Sequence, residues 1–209
     1  MKKLLSIVIC IISLFGIFTL SSCEKLEELE NAVNYPDAYS ITYEITNADG
    51  TIHTITKTVD ENGSVYIKTA DTEKLFIKND DSYTLYEKNT DGKFVAESDK
   101  KYTEKVVNET CAEFEKYADE SKNKFMPTAK KDGEDELAGR KCEIYKLGVG
   151  TENNSAYYYY YVDIETGICL GVKVKQTALG NEIEHEGDSF ICKEFITANI
   201  EDLSDKISK

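Results

Sequence analysis

Between Tyr39 and Thr46 every second residue is apolar: Tyr39, Ile41, Tyr43 and Ile45 alternate with Ser40, Thr42, Glu44 and Thr46. A period of two fits a strand with one dry and one wet face and excludes an amphipathic helix. No other feature constrains the fold as strongly. Turn residues then recur at short intervals, at Ala48-Asp49-Gly50, Glu61-Asn62-Gly63, Asp80-Asp81-Ser82 and Thr90-Asp91-Gly92. Between them lie predicted strands near residues 51–59, 64–69, 74–79, 83–88 and 93–97, an antiparallel meander. The Asp/Asn-Gly clusters lack the ligand spacing and terminal Glu of an EF-hand, and turn chemistry accounts for them.

Residues 102–124 change period. Val106, Val107, Thr110, Cys111, Phe114, Tyr117 and Ala118 fall on one helical face, with Glu104, Glu109, Glu113, Lys116 and Glu120 elsewhere. One long amphipathic helix is therefore inserted mid-chain, ended by Lys124-Phe125-Met126-Pro127. A polar loop through Asp132-Gly133 then leads to Gly139.

The C-terminal strands can be read in register. A two-residue loop at Gly180-Asn181 sets Lys173 opposite Asp188, Lys175 opposite Glu186, Phe190 over Gly171 and Cys192 opposite Cys169. Facing opposite charges stabilise such a ladder by about 0.2–1 kcal/mol per pair. If Ile164-Glu165-Thr166-Gly167 is the preceding turn, Tyr157, Tyr159 and Tyr161 face Val174, Val172 and Leu170, while Tyr158 and Tyr160 point the other way. The apolar face then carries Tyr39, Ile41, Tyr43, Tyr157, Tyr159, Tyr161, Leu170, Val172 and Val174, as ordinary core or as the wall of a ligand site. Directly opposite residues lie about 4.5–5.5 Å apart at Cα, which makes Cys169 and Cys192 the candidate disulfide.

Ahead of this domain, Met1-Lys2-Lys3 and the apolar run Leu4 to Leu20 form a signal peptide. Leu20-Ser21-Ser22-Cys23 resembles the lipobox of bacterial lipoproteins. That resemblance implies cleavage before Cys23, a diacylated thiol, and a protein tethered to a membrane on the extracytoplasmic side of the cell envelope. An uncleaved transmembrane helix is the competing reading, since about 17 apolar residues is the low end of a span. The chain divides into a signal peptide (1–22), an acidic tether or short helix (23–36), one β-rich domain (37–203) and a tail (204–209). Once the two leader lysines are removed, 23 basic residues stand against 39 acidic ones, a net charge of −16. Such a charge repels nucleic acid, so no nucleic-acid partner is expected.

Of six cysteines, Cys111, Cys142, Cys169 and Cys192 remain after the leader and the lipidated Cys23, as two disulfides or as four buried thiols. No C-x-x-C occurs, and His53 and His185 have no ligand-spaced partner, so neither metal nor cofactor is expected. No nucleophile, base and orienting group assemble, and the chain reads as non-enzymatic.

The segments Leu137-Ala138-Gly139-Arg140-Lys141-Cys142-Glu143-Ile144-Tyr145 and Tyr159-Tyr160-Tyr161-Val162-Asp163-Ile164-Glu165-Thr166-Gly167, with eight or nine antiparallel strands and the lipobox, resemble the periplasmic lipoprotein-carrier superfamily, the LolA/LolB-like half-barrels. The resemblance covers most of residues 37–200. It implies a mainly β (α+β) fold, a curved antiparallel sheet or half-barrel with helical cover over an apolar concave face, and binding of acyl chains or envelope sensing. The carriers' buried arginine on an early strand has no counterpart, because Arg140 is the only arginine. Two functions follow: a membrane-anchored module binding an apolar or lipid-like ligand on its concave sheet, or a structural or protein-interaction lipoprotein with a fully packed core.

Overall fold

The alternating segments pair with their sequence neighbours. The computed structural model describes residues 33–120, 128–151, 154–178 and 181–207, with the backbone alone for 151, 154, 177, 178 and 181–188. The signal peptide, Cys23, the tether as far as residue 32 and the helix stop at Lys124–Pro127 lie outside the described residues. The elements are β1 (Tyr39–Thr46), β2 (Ile52–Val59), β3 (Val65–Lys68), β4 (Glu73–Asn79), β5 (Ser82–Lys88), β6 (Phe94–Tyr102), α1 (Glu104–Ala118), β7 (Lys130–Leu137), β8 (Arg140–Thr151), β9 (Asn154–Asp163), β10 (Cys169–Ala178) and β11 (Asn181–Ile196). A short 3-10 helix, Leu203–Lys206, crosses the expected boundary between domain and tail.

All eleven strands form one antiparallel sheet in the order β6-β5-β4-β3-β2-β1-β11-β10-β9-β8-β7. β6 and β7 are its two edges, so the sheet stays open. Helix α1 packs against both β2 and β10, with β1 and β11 between them. Three strand spacings span about 14 Å, more than the roughly 10–12 Å width of a helix. The sheet therefore curves around α1, the mainly β, curved architecture expected with one helix inserted mid-chain.

Helix α1 buries Val107, Cys111, Phe114 and Ala118, four positions of the face read from the sequence. They meet Tyr39, Ile41, Tyr43, Ile55, Ile67 and Phe76 in the main core. Tyr43 is fully buried; its ring meets Phe114 at 5.3 Å and Phe190 at 5.5 Å between centroids. Its hydroxyl donates to the Cys169 carbonyl at 2.8 Å. On the opposite face Leu75, Phe94 and Leu203 form a second core, and the C-terminal helix is held there by the Leu203 N–H donating to the buried Asp60 carboxylate at 2.9 Å.

Three expectations are corrected. Residues 130–137 are a strand where a polar loop was expected, raising the strand number above nine. β7 is an edge with both faces wet, so pairing with β8 forms it without any apolar alternation. The C-terminal loop falls one residue earlier, between Ala178 and Asn181, and Lys175 pairs with Glu184, not Glu186. Finally, Gly171 pairs with Ile191 and Val172 with Phe190, and the ladder shifts again beyond Val172. Cys169 and Cys192 are thus not opposite one another. All four described cysteines are buried free thiols.

Candidate functional site

The site takes its shape from one irregularity. Cys169 pairs with Val162, but Gly171 pairs with Tyr161, leaving Leu170 as an extra residue on β10. A one-residue bulge changes which side chains share a face. From there on Val172 lies opposite Tyr160 and Val174 opposite Tyr158, while Lys173 faces Tyr159 and Lys175 faces Tyr157. The expected grouping of the five tyrosines is thereby inverted. Tyr158 and Tyr160 join the α1 side of the sheet. Tyr157, Tyr159 and Tyr161 lie on the outer face, beneath Lys146, Lys173 and Lys175, with ammonium groups 4.5–5.8 Å from ring centroids.

The expected ligand wall is mostly core. Ile41, Tyr43 and Leu170 have no exposure, Tyr39 has 3%, Val174 5% and Val172 6%. Tyr161 is buried on the outer side, and Tyr157 and Tyr159 are half-buried there. What remains open is a cleft of about 260 Å³ beside the C-terminal turn of α1. Ile45, Val172 and Phe190 supply its apolar lining, Tyr117, Tyr158 and Tyr160 its aromatic walls, and Lys116 and Glu120 charged groups. The Tyr117 ring packs on Phe190 at 5.1 Å, and Tyr158 stacks on Tyr160 at 6.5 Å. Burial pushes the Tyr160 hydroxyl up to about 12, so it stays protonated and can donate. Of the nine residues of the expected ligand wall, only Val172 lines this cleft. Gly171 was the available signal, since a glycine within a strand often marks a bulge. A Cβ there would lie 3.2 Å from the Leu137 side chain and from the Phe190 carbonyl. A second surface hollow along Lys68–Lys74 is bordered by the ion pairs Lys74–Glu87 and Lys88–Glu73.

Two charged clusters flank the core. Lys57 sits opposite Ile41, at an apolar position of β2, and is only 9% exposed. It pairs with Glu115 of α1 beneath the rings of Tyr35, Tyr39 and Phe114, 5.3–5.7 Å away. Burial works against its charge, but Tyr39 and Glu115 outweigh that and hold the ammonium above its ordinary range. Tyr35 precedes β1 and donates to the other Glu115 oxygen at 2.6 Å. In the second cluster Arg140 makes a two-pronged bond to Asp163, Nε to Oδ1 at 3.0 Å and Nη2 to Oδ2 at 2.9 Å. Asp163 also accepts from the backbone and hydroxyl of Thr166, closing the β9–β10 turn. The cysteine thiols are inert by environment: burial raises Cys111 and Cys142 to about 11 and Cys192 to about 12.

Among the described residues no group of three His, Cys, Asp or Glu could hold a metal ion, and no helix is long and apolar enough to cross a membrane.

No family model and no curated protein matches the chain. Among solved structures it is similar to the crystal structure of MucB, at TM-score 0.41 and 14% identity, covering 87% of this chain and 60% of that one. It is also similar to MucB in complex with MucA(peri), at TM-score 0.38 and 13% identity over 81% and 53%. A third is the Pseudomonas aeruginosa MucA/MucB complex, at TM-score 0.35 and 14% identity over 76% and 51%. The chain thus spans between 51% and 60% of the length of these structures' chains.

Proposed function

We propose that this chain is a non-enzymatic lipoprotein, tethered through Cys23 on the extracytoplasmic side of a membrane, whose cleft takes side chains of a protein partner in an interaction or envelope-sensing role. The supporting observation is the occupancy of the apolar face. Helix α1 and the sheet bury Tyr39, Ile41, Tyr43 and Leu170 in the core, and the remaining cleft of about 260 Å³ falls below the ~300–1,000 Å³ usual for small-molecule sites. Three tyrosines over an apolar floor form the kind of pocket in which protein interfaces concentrate binding energy.

A photo-crosslinking residue in place of Tyr158, in cells, tests this. The expected result is a discrete protein adduct at Tyr158 and none at Tyr86 on the outer face. Lys116 is exposed at the rim of the cleft, so Lys116→Trp fills the cleft without touching the core. That variant should abolish the adduct with stability changed by no more than about 0.5 kcal/mol. Native mass spectrometry showing a stoichiometric fatty acid in the purified protein, with no protein adduct, would return the site to an apolar ligand. The anchor has its own test. Cys23→Ala removes the lipidated thiol and should release the protein from membranes; a mutant that still pellets with membranes and keeps its signal peptide in the same proportion as wild type refutes the lipid tether.

A further inference from the structure

The chain reaches the domain through Val33-Asn34-Tyr35-Pro36, and this short strap is fastened at two points. The Asn34 N–H donates to the Thr166 carbonyl at 2.8 Å, on the turn organised by Asp163. The Tyr35 hydroxyl donates to Glu115 at 2.6 Å, with Asp119 a further acceptor at 3.4 Å, and its ring stacks on Tyr39 at 5.2 Å. Both acceptors lie in the last turn of α1 or just beyond it, interleaved with Lys116, Tyr117 and Glu120, which line the cleft. The same Glu115 neutralises the buried Lys57. One side chain of the strap therefore closes the charge cluster that fixes the C-terminal end of α1 to the sheet.

We propose that the strap is a latch coupling the tether to the cleft: displacing residues 33–36 strips Glu115 of its Tyr35 bond and leaves it only Lys57, loosens the C-terminal half of α1 and reshapes the cleft wall. Resting on the cleft as the interaction site, this assigns its regulation to the position of the domain relative to its anchor. Cys111 reports the state of the latch. It is 1% exposed, lies under α1 one turn before Glu115, and becomes reachable when the helix lifts. Cys142, Cys169 and Cys192 are buried on strands of the sheet and serve as internal controls.

The experiment labels the native full chain with N-ethylmaleimide and resolves each site by peptide mass. Tyr35→Phe keeps the ring and removes the hydroxyl, losing one hydrogen bond to a charged group. Labelling of Cys111 should then rise about tenfold or more, while the three strand cysteines keep their wild-type rates. An unchanged Cys111 rate overturns the latch, and so does a rise shared by all four cysteines, which marks global unfolding. Asn34→Ala retains the N–H and should leave all rates unchanged; a selective rise at Cys111 would overturn the assignment to Tyr35. The readout needs no partner, so a failed latch is distinguishable from a failed interaction site.

Discussion

Asp163 shows how much of this fold depends on a single side chain. Its carboxylate is 1% exposed and accepts from Arg140, from the Thr166 backbone and from the Thr166 hydroxyl. Asp163→Ala leaves the largely buried guanidinium without its two-pronged partner and the turn donors unsatisfied, so a loss of about 3–5 kcal/mol is expected. Urea unfolding monitored by tyrosine fluorescence measures it, and an unchanged slope would confirm that two-state behaviour survives. Lys57 stands in a similar position on the other side of the core. The sequence does mark it, as a lysine in the apolar phase of Ile55-Lys57-Val59. Its partner Glu115 lies on a distant helix, and nothing in the local pattern of either residue names the other.

At the scale of elements, α1 was legible because its buried face needs only its own period: Val107, Cys111, Phe114 and Ala118 all turn inward. Phe114 has no exposure and touches Tyr43, so Phe114→Ala should cost about 3–5 kcal/mol in urea unfolding. A change near zero would mean that the helix does not pack as described. β7 was illegible for the opposite reason. Lys130-Lys131-Asp132-Gly133-Glu134-Asp135-Glu136-Leu137 has no dry face, and its strand character comes from the β8 backbone beside it. Its charges and irregular register discourage pairing with further chains at the open edge.

Across the whole molecule, charge sets the pH response. The Lys131 bond, with Tyr145 adding to it, holds Glu143 below the usual carboxylate range. Burial works against the Glu73 charge, yet bonds to Lys88 and Tyr66 outweigh it and leave that carboxyl low as well. A carboxyl with a depressed folded pKa contributes stability above its unfolded value of about 4.3, and that stability is lost as pH falls through the folded value. Self-repulsion in a chain of net charge −14 acts the other way, weakening as pH approaches the isoelectric point near 4.7. The denaturant midpoint should therefore rise from pH 8 towards pH 5 and fall below about pH 4. Salt should flatten the upper limb. A midpoint that climbs steadily to pH 3 would contradict the assigned pairs.

The sequence by itself determined the elements that carry their own period: the meander of β1–β6, the amphipathic α1, the turns at Gly50, Gly63 and Gly92, and the buried phase of Tyr39, Ile41 and Tyr43. Each rests on interactions within a few residues or on a face whose hydropathy alternates unaided. Only the tertiary structure decided which tyrosines face α1. A single bulged residue at Leu170 exchanges Tyr157 and Tyr159 for Tyr158 and Tyr160, and five consecutive tyrosines carry no hydropathy difference to set their phase. The cleft, the Lys57–Glu115–Tyr35 cluster and the Arg140–Asp163 pair were likewise decided there. Each joins residues far apart in the chain: the cleft and the Lys57 cluster exist only once the sheet has curved around the helix, and the Arg140–Asp163 pair only once β8 lies beside β9.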